Sequence, residues 1–224
     1  MPLRLKVTIA GQQKYVKTVV GQADSGNVIQ VSERPTEVRI FSSSKPWGEL
    51  INEGAGGWSY NSTENKVTLT TPLASGEKAV AFVGDVYLFE LIVSNGALPG
   101  FVTNTGSAAD RTKEQDVVVV NEDTYTKYLN VRITSFDSFV NDGVITKSWF
   151  SVKKSGDANY TSATSISSAS PFWITTQATD GNFDAIGPGQ SRTIRIKCVA
   201  DPNLDVKNYR NWYFVLESIA EDTR

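Results

Sequence analysis

Apolar and polar residues alternate with a period of two through much of the chain, the pattern of extended segments with one dry and one wet face. The clearest stretch is GPGQSRTIRIKC, residues 187–198. A Pro-Gly turn leads into Ile194, Ile196 and Cys198 on one side and Thr193, Arg195 and Lys197 on the other. Alternation or β-branched runs predict strands near 3–10, 14–20, 28–31, 36–41, 57–60, 66–71, 79–83 and 86–93. They predict further strands near 117–120, 125–135, 144–153, 172–176, 191–199 and 210–217. The breaks ADSGN, SSSKPWG, NEGAGG, NSTEN and ASGE are rich in Gly, Ser and Asn, which favour turns. SGDANYTSATSISSAS (155–170) is polar throughout and reads as a long loop or an edge strand. No segment of helical length keeps a 3.6-residue period, and no short repeat recurs.

From Ser94 to Glu114 the alternation lapses into SNGALPGFVTNTGSAADRTKE, which places a boundary there. Ser107 and Asp110 have the spacing of a capping box, compatible with one or two helical turns over 108–115 in an otherwise irregular linker. Many short strands with turns between them argue an all-β chain of two tandem β-sandwiches, 1–98 and 115–224, joined by the linker 99–114.

Charge changes this picture only by exclusion. The 22 basic and 24 acidic residues nearly balance, and nine of each sign fall in 1–98. Neither half has the basic footprint expected for nucleic acid or an anionic membrane, so neither partner is expected. The N-terminal MPLRLKVTIAG alternates charge with apolar residues and lacks the unbroken apolar stretch of a signal peptide. The longest apolar tract, AVAFVGDVYLFELIV (79–93), is short for a membrane span and contains Asp85 and Glu90. As written, the chain is expected to be soluble and not exported by the ordinary route.

The candidate chemistry is equally sparse. There is no histidine, which removes Ser-His-Asp and Cys-His nucleophile systems and the commonest zinc ligand. No phosphate-cradling glycine loop is present, and no spacing singles out a catalytic pair among the acids. No catalytic residue, no metal and no cofactor is therefore expected. Asp180, Asn182 and Asp184, like Asp201, Asn203 and Asp205, alternate as calcium ligands do, yet neither set continues into the EF-hand pattern, and polar turns account for both. Asn61-Ser62-Thr63 and Asn159-Tyr160-Thr161 match the N-glycosylation pattern as chance loop composition. The single cysteine, Cys198, sits on the dry side of its strand and reads as a small buried hydrophobe.

SPFWITTQATDGNFDAIGPGQSRTIRIKCVADPN (170–203) resembles the second half of immunoglobulin-like modules of the BACON and related types. There a strand ending in Trp and Ile precedes a loop, a Pro-Gly-x-Ser turn and an amphipathic strand. EVRIFSSSKPWGEL (37–50) and NKVTLTT (65–71) are a fainter match, and together these segments cover about a third of the chain. The resemblance implies immunoglobulin-like sandwiches. Such modules occur in surface glycan-handling proteins of gut Bacteroidetes and in virion proteins of their tailed phages, including crAss-like phages. For a chain without an export signal, it implies an auxiliary or decoration protein of a phage capsid, located in the virion.

One further pattern bears on partners. Large apolar residues repeatedly stand side by side: Trp149-Phe150, Phe172-Trp173, Trp212-Tyr213-Phe214, and VYLFELIV at 86–93. In a strand, such neighbours face opposite ways, so one of each pair needs a second cover. Cover by the other domain, by a loop of the chain or by another chain each satisfies this. The last predicts contacts through Phe150, Trp173, Tyr213 and Val215, with Arg195 and Lys197 as a polar rim. The partners would be other virion proteins, a capsid lattice or fibres, or further copies of the chain. The alternative is a glycan-binding or adhesion module of a bacterial surface protein, stacking sugars on Trp47, Trp58 and Tyr60.

Overall fold

The computed structural model describes residues 3–94, 102–138, 146–177, 184–202, 204–206, 208–209 and 212–224. Asp180, Asn182 and Asn203 of the candidate calcium loops lie outside the described residues, as does the side chain of Trp47. Among the described residues the chain is all-β, with no α-helix and only two single-turn 3₁₀ segments.

The chain opens with strands β1 (Leu3–Ile9) and β2 (Gln12–Tyr15). It continues through β3 (Thr18–Ala23), β4 (Val28–Gln30), β5 (Glu37–Ser42), β6 (Lys45–Ile51), β7 (Trp58–Asn61), β8 (Lys66–Leu69) and β9 (Lys78–Val83). Then come β10 (Leu91–Ser94), β11 (Val102–Thr103), β12 (Thr112–Asn121) and β13 (Thr126–Ser138). The last strands are β14 (Phe150–Lys154), β15 (Thr161–Ser162), β16 (Phe172–Trp173), β17 (Ala185–Ile186), β18 (Ser191–Val199), β19 (Asn208–Tyr209) and β20 (Trp212–Asp222).

A six-stranded antiparallel sheet runs β15-β14-β18-β12-β1-β2. Its inner face carries Leu5, Val7, Val117, Val119, Ile194, Ile196, Cys198, Phe150 and Val152. These pack with Val131, Ile133 and Phe136 of β13, Phe172 of β16, and Leu91 and Val93 of β10 in one buried cluster. A second cluster lies between the sheet β3-β9-β5-β6 and the sheet β4-β8-β7, around Ile29, Val38, Trp58, Val67 and Ala81.

The pairing crosses the expected boundary between 1–98 and 115–224. Arg4 pairs with Val120 and Val7 with Val117, so the first strand lies beside β12 in the second half's sheet. Among the described residues, every strand pairing made by 18–83 stays within 18–83. The two chain passes that enter and leave this segment are tied together. The Lys17 N–H donates to the Val86 carbonyl (2.6 Å), and the Asp85 and Val86 N–H groups donate to the Tyr15 carbonyl (3.0 and 3.1 Å). Gly84 makes that approach possible. It sits at φ +105°, and a Cβ there would lie 2.6 Å from the Val16 carbonyl oxygen. Ser107 and Asp110 pair as their spacing suggests, with the Ser107 Oγ donating to the carboxylate at 2.6 Å, but they close one turn and not a helix.

Most of the adjacent apolar pairs are covered from within. Trp149 ends a 3₁₀ turn, Lys147–Trp149, so strand alternation begins only at Phe150 and both rings enter the core. Residues 87–90 are not a strand at all. The bend there turns both Leu88 and Phe89 inward. β9 is the true two-faced strand, buried from Ala79 to Val83. Ala79, Ala81 and Val83 face the second cluster, while Val80 and Phe82 join Phe41 on the other face. Tyr213 of β20 and Val19 complete that outer cover.

Candidate interaction surface

The six candidate contact residues separate into distinct environments. Phe150 is 2% exposed, with Phe136 and Phe89 edge-on at 4.8 and 5.4 Å and Trp212 tilted at 4.5 Å. It is a core residue and offers nothing to a partner, which corrects its assignment as a contact. Tyr213 is half-buried over the Phe41–Val80–Phe82 cluster. Burial, with Asp137 nearby, raises its phenol pKa. Trp173 is half-buried too, with the Arg132 guanidinium 5.4 Å from its ring centroid. Arg132 in turn donates to Glu217 at 2.8 Å. The register of β16, β13 and β20 therefore builds a ladder Trp173–Arg132–Glu217 across one sheet face. Val215 alone among the apolar candidates is open, at 40% exposure.

Arg195 and Lys197 lie on the outer face of the six-stranded sheet, and both are engaged by their own chain. Arg195 donates through Nε and Nη2 to the Asp116 carboxylate at 2.6 and 2.8 Å, which raises the arginine's pKa and lowers the aspartate's. The Lys197 and Lys153 ammonium groups sit 4.1 and 4.8 Å from the Tyr160 ring centroid. The Tyr160 hydroxyl donates to Glu114 at 2.9 Å. Desolvation, aided by that carboxylate, pushes the phenol up to about 12. This network spans β14, β18 and β12 and satisfies itself.

The glycan alternative loses its central residue. Trp58 is 3% exposed, its Nε1 donating to the Ile51 carbonyl at 2.9 Å, so no sugar ring can stack on it. The Tyr60 hydroxyl donates to Asn65 Oδ1 at 2.9 Å, and the Arg34 guanidinium lies 5.3 Å from its ring centroid. Asp184, from the first candidate calcium loop, accepts from the Thr176 N–H and from Arg192 at 2.9 and 2.8 Å. Among the described residues no group of three acidic, His or Cys side chains could hold a metal.

β20 presents an open edge. It has eleven residues and pairs with β13 along one edge, and no described strand occupies the other. Even-numbered Trp212, Phe214 and Leu216 pack toward the main core. From Glu217 to Asp222 every residue is exposed, Ile219 at 50%. Sequences usually guard such an edge with lysine, proline or unpaired charge. β20 contains no lysine, arginine or proline. Its acids are neutralised within the chain: Glu217 by Arg132, Glu221 by Lys127 and Asp222 by Arg224, each at 2.8 Å. Beside residues 213–216 runs a groove of about 490 Å³, lined by Leu3, Leu5, Val19, Val20 and Leu88. Sequence reading missed Ile219 because the predicted strand ended at 217, although the alternation Tyr213, Val215, Glu217, Ile219, Glu221 continues past it.

Comparison of the chain with protein-family models, with curated proteins and with solved structures returned no match.

Proposed function

We propose that this chain is a non-catalytic structural protein that acts by binding other proteins, specifically as an auxiliary or decoration protein of a tailed-phage capsid built on immunoglobulin-like sandwich units. The observation that carries the reading is the open edge of β20, eleven residues long, with Val215 and Ile219 exposed on it. A monomer that worked alone would gain nothing from an unguarded edge and would risk aggregation. The resemblance of 170–203 to immunoglobulin-like modules of the BACON type, which occur in virion proteins of tailed phages among other settings, supplies the setting. Co-sedimentation tests it. Added to purified shells that lack it, the chain is expected to pellet with them and saturate at a fixed ratio per capsid subunit. A chain that stays in the supernatant at every concentration, and that mass spectrometry does not find in purified particles, overturns the reading.

A further inference from the structure

We propose that β20 pairs antiparallel with β20 of a second copy, joining the two chains across a two-fold axis at Leu216. Directly opposed residues in antiparallel strands share a face, so a two-fold axis perpendicular to the sheet must pass through a residue position. The choices along β20 are then few, and charge and shape select among them. An axis at Glu217 sets that carboxylate against its own copy, and an axis at Ile219 sets Glu217 against Glu221. An axis at Ser218 opposes Phe214 with Asp222. Like charges directly opposite, or a carboxylate against an aromatic ring, weaken a ladder. An axis at Val215 sets Tyr213 against Glu217, and one at Phe214 pairs only 212–216 of the strand and leaves Ile219 beyond it. An axis at Leu216 avoids all of these. It opposes Tyr213 with Ile219, Phe214 with Ser218, Val215 with Glu217, and Leu216 with itself. Aromatic against β-branched is a favourable cross-strand pair, and symmetry makes it twice.

Three observations favour a second copy as the occupant. The carboxylates of β20 are already balanced by Arg132, Lys127 and Arg224, so two such edges approach without net repulsion. Ile219, opposite Leu129 of β13, is still 50% exposed, and a further strand alongside β20 would cover it. A groove of about 490 Å³ borders 213–216, the residues that 216–219 of the copy would oppose, and the partly buried Leu3 and Val19 also line it. Ladder pairing over 212–220 extends for about 30 Å at strand spacing. The inference is independent of the virion reading, because a dimer could serve many assemblies.

The test uses the full chain. Sedimentation is expected to show a concentration-dependent monomer–dimer equilibrium. Ile219→Lys, which adds a guarding charge at an exposed site, is expected to weaken it at least tenfold, whereas Leu50→Lys, equally exposed on β6, leaves it unchanged. Leu216→Cys reports the register directly. Opposed Cα atoms about 4.5–5.5 Å apart lie within disulfide reach, and the native Cys198 is buried. Mild oxidation is expected to give a covalent dimer, and Leu50→Cys none. A chain monomeric throughout, or a dimer that ignores Ile219→Lys and does not crosslink through position 216, overturns the pairing. So does occupation of the edge by a foreign strand in a strictly monomeric chain. A monomer that still binds shells refutes the pairing and leaves the proposed function standing; a crosslinked dimer that binds no shell does the reverse.

Discussion

Replacing Phe150 with alanine separates a core residue from a contact residue. The ring is 2% exposed and meets three other aromatics at centroid distances of 4.5 to 5.4 Å. Deleting a buried phenylalanine side chain costs about 3–5 kcal/mol in transfer and cavity terms. Loss of its edge-on and tilted partners, about 0.5–1.5 kcal/mol per pair, pushes the cost toward the upper end of that range. Against a total stability of about 5–15 kcal/mol this is a large fraction. For a chain of this size it lowers Tm by about 8–20 °C. Urea unfolding followed by circular dichroism and tryptophan fluorescence measures it, with gel filtration run in parallel. Val215→Ala, at a 40% exposed position, should stay within about 0.5 kcal/mol in the same assay. Because 18–83 has its own buried cluster, two unfolding steps are expected, and Phe150→Ala should shift the one belonging to the main cluster. If Phe150→Ala kept the urea midpoint of the native chain and altered only association, the core assignment would be refuted.

Gly84→Ala should destabilise the chain by at least about 1–3 kcal/mol, since alanine is strained at φ +105° and its Cβ meets the Val16 carbonyl; an unchanged thermal midpoint would contradict this. Glu37 sits between Lys17 and Arg39, with hydrogen bonds to both. Burial would raise its pKa, but the two cations outweigh burial and hold it below the usual carboxylate range. Its contribution is thus complete above the unfolded-state value and is lost as pH falls through the folded-state value. Acidification from about pH 5 to pH 3 should cost the native chain more stability than Glu37→Gln, as read from denaturation midpoints across that range. Burial pushes the Cys198 thiol up to about 12. An aromatic disulfide reagent at mildly alkaline pH should leave the folded chain unmodified and label it promptly in guanidinium, and prompt stoichiometric labelling of the folded chain would count against the burial.

What the sequence disclosed, and what it concealed, follows from the range of the interactions involved. β18 was legible almost residue by residue, because strict alternation is a local consequence of one dry face. β6 was not. Pro46, Gly48 and the preceding serines read as a turn, and on an edge strand with Leu50 half-exposed the alternation carries little apolar signal. The pairing of Arg4 with Val120 has no local trace at all, since nothing in LRLKVTI names a partner more than a hundred residues away. The argument from adjacent aromatics assumed continuous strands. It failed at Trp149, where a 3₁₀ turn resets the direction of the side chains, and at Leu88-Phe89, where the backbone bends. It held at Tyr213, whose cover comes from a distant part of the same chain.

The tie between Lys17 and Val86 makes residues 18–83 an excursion that leaves and returns at one point. Segments whose ends meet can lengthen, shorten or be exchanged while the flanking strands keep their partners, as successful domain insertions do. Sequence drift can thus proceed fast in this portion of the molecule, with Tyr213 and the Gly84 crossing as the points at which it must still answer to the rest.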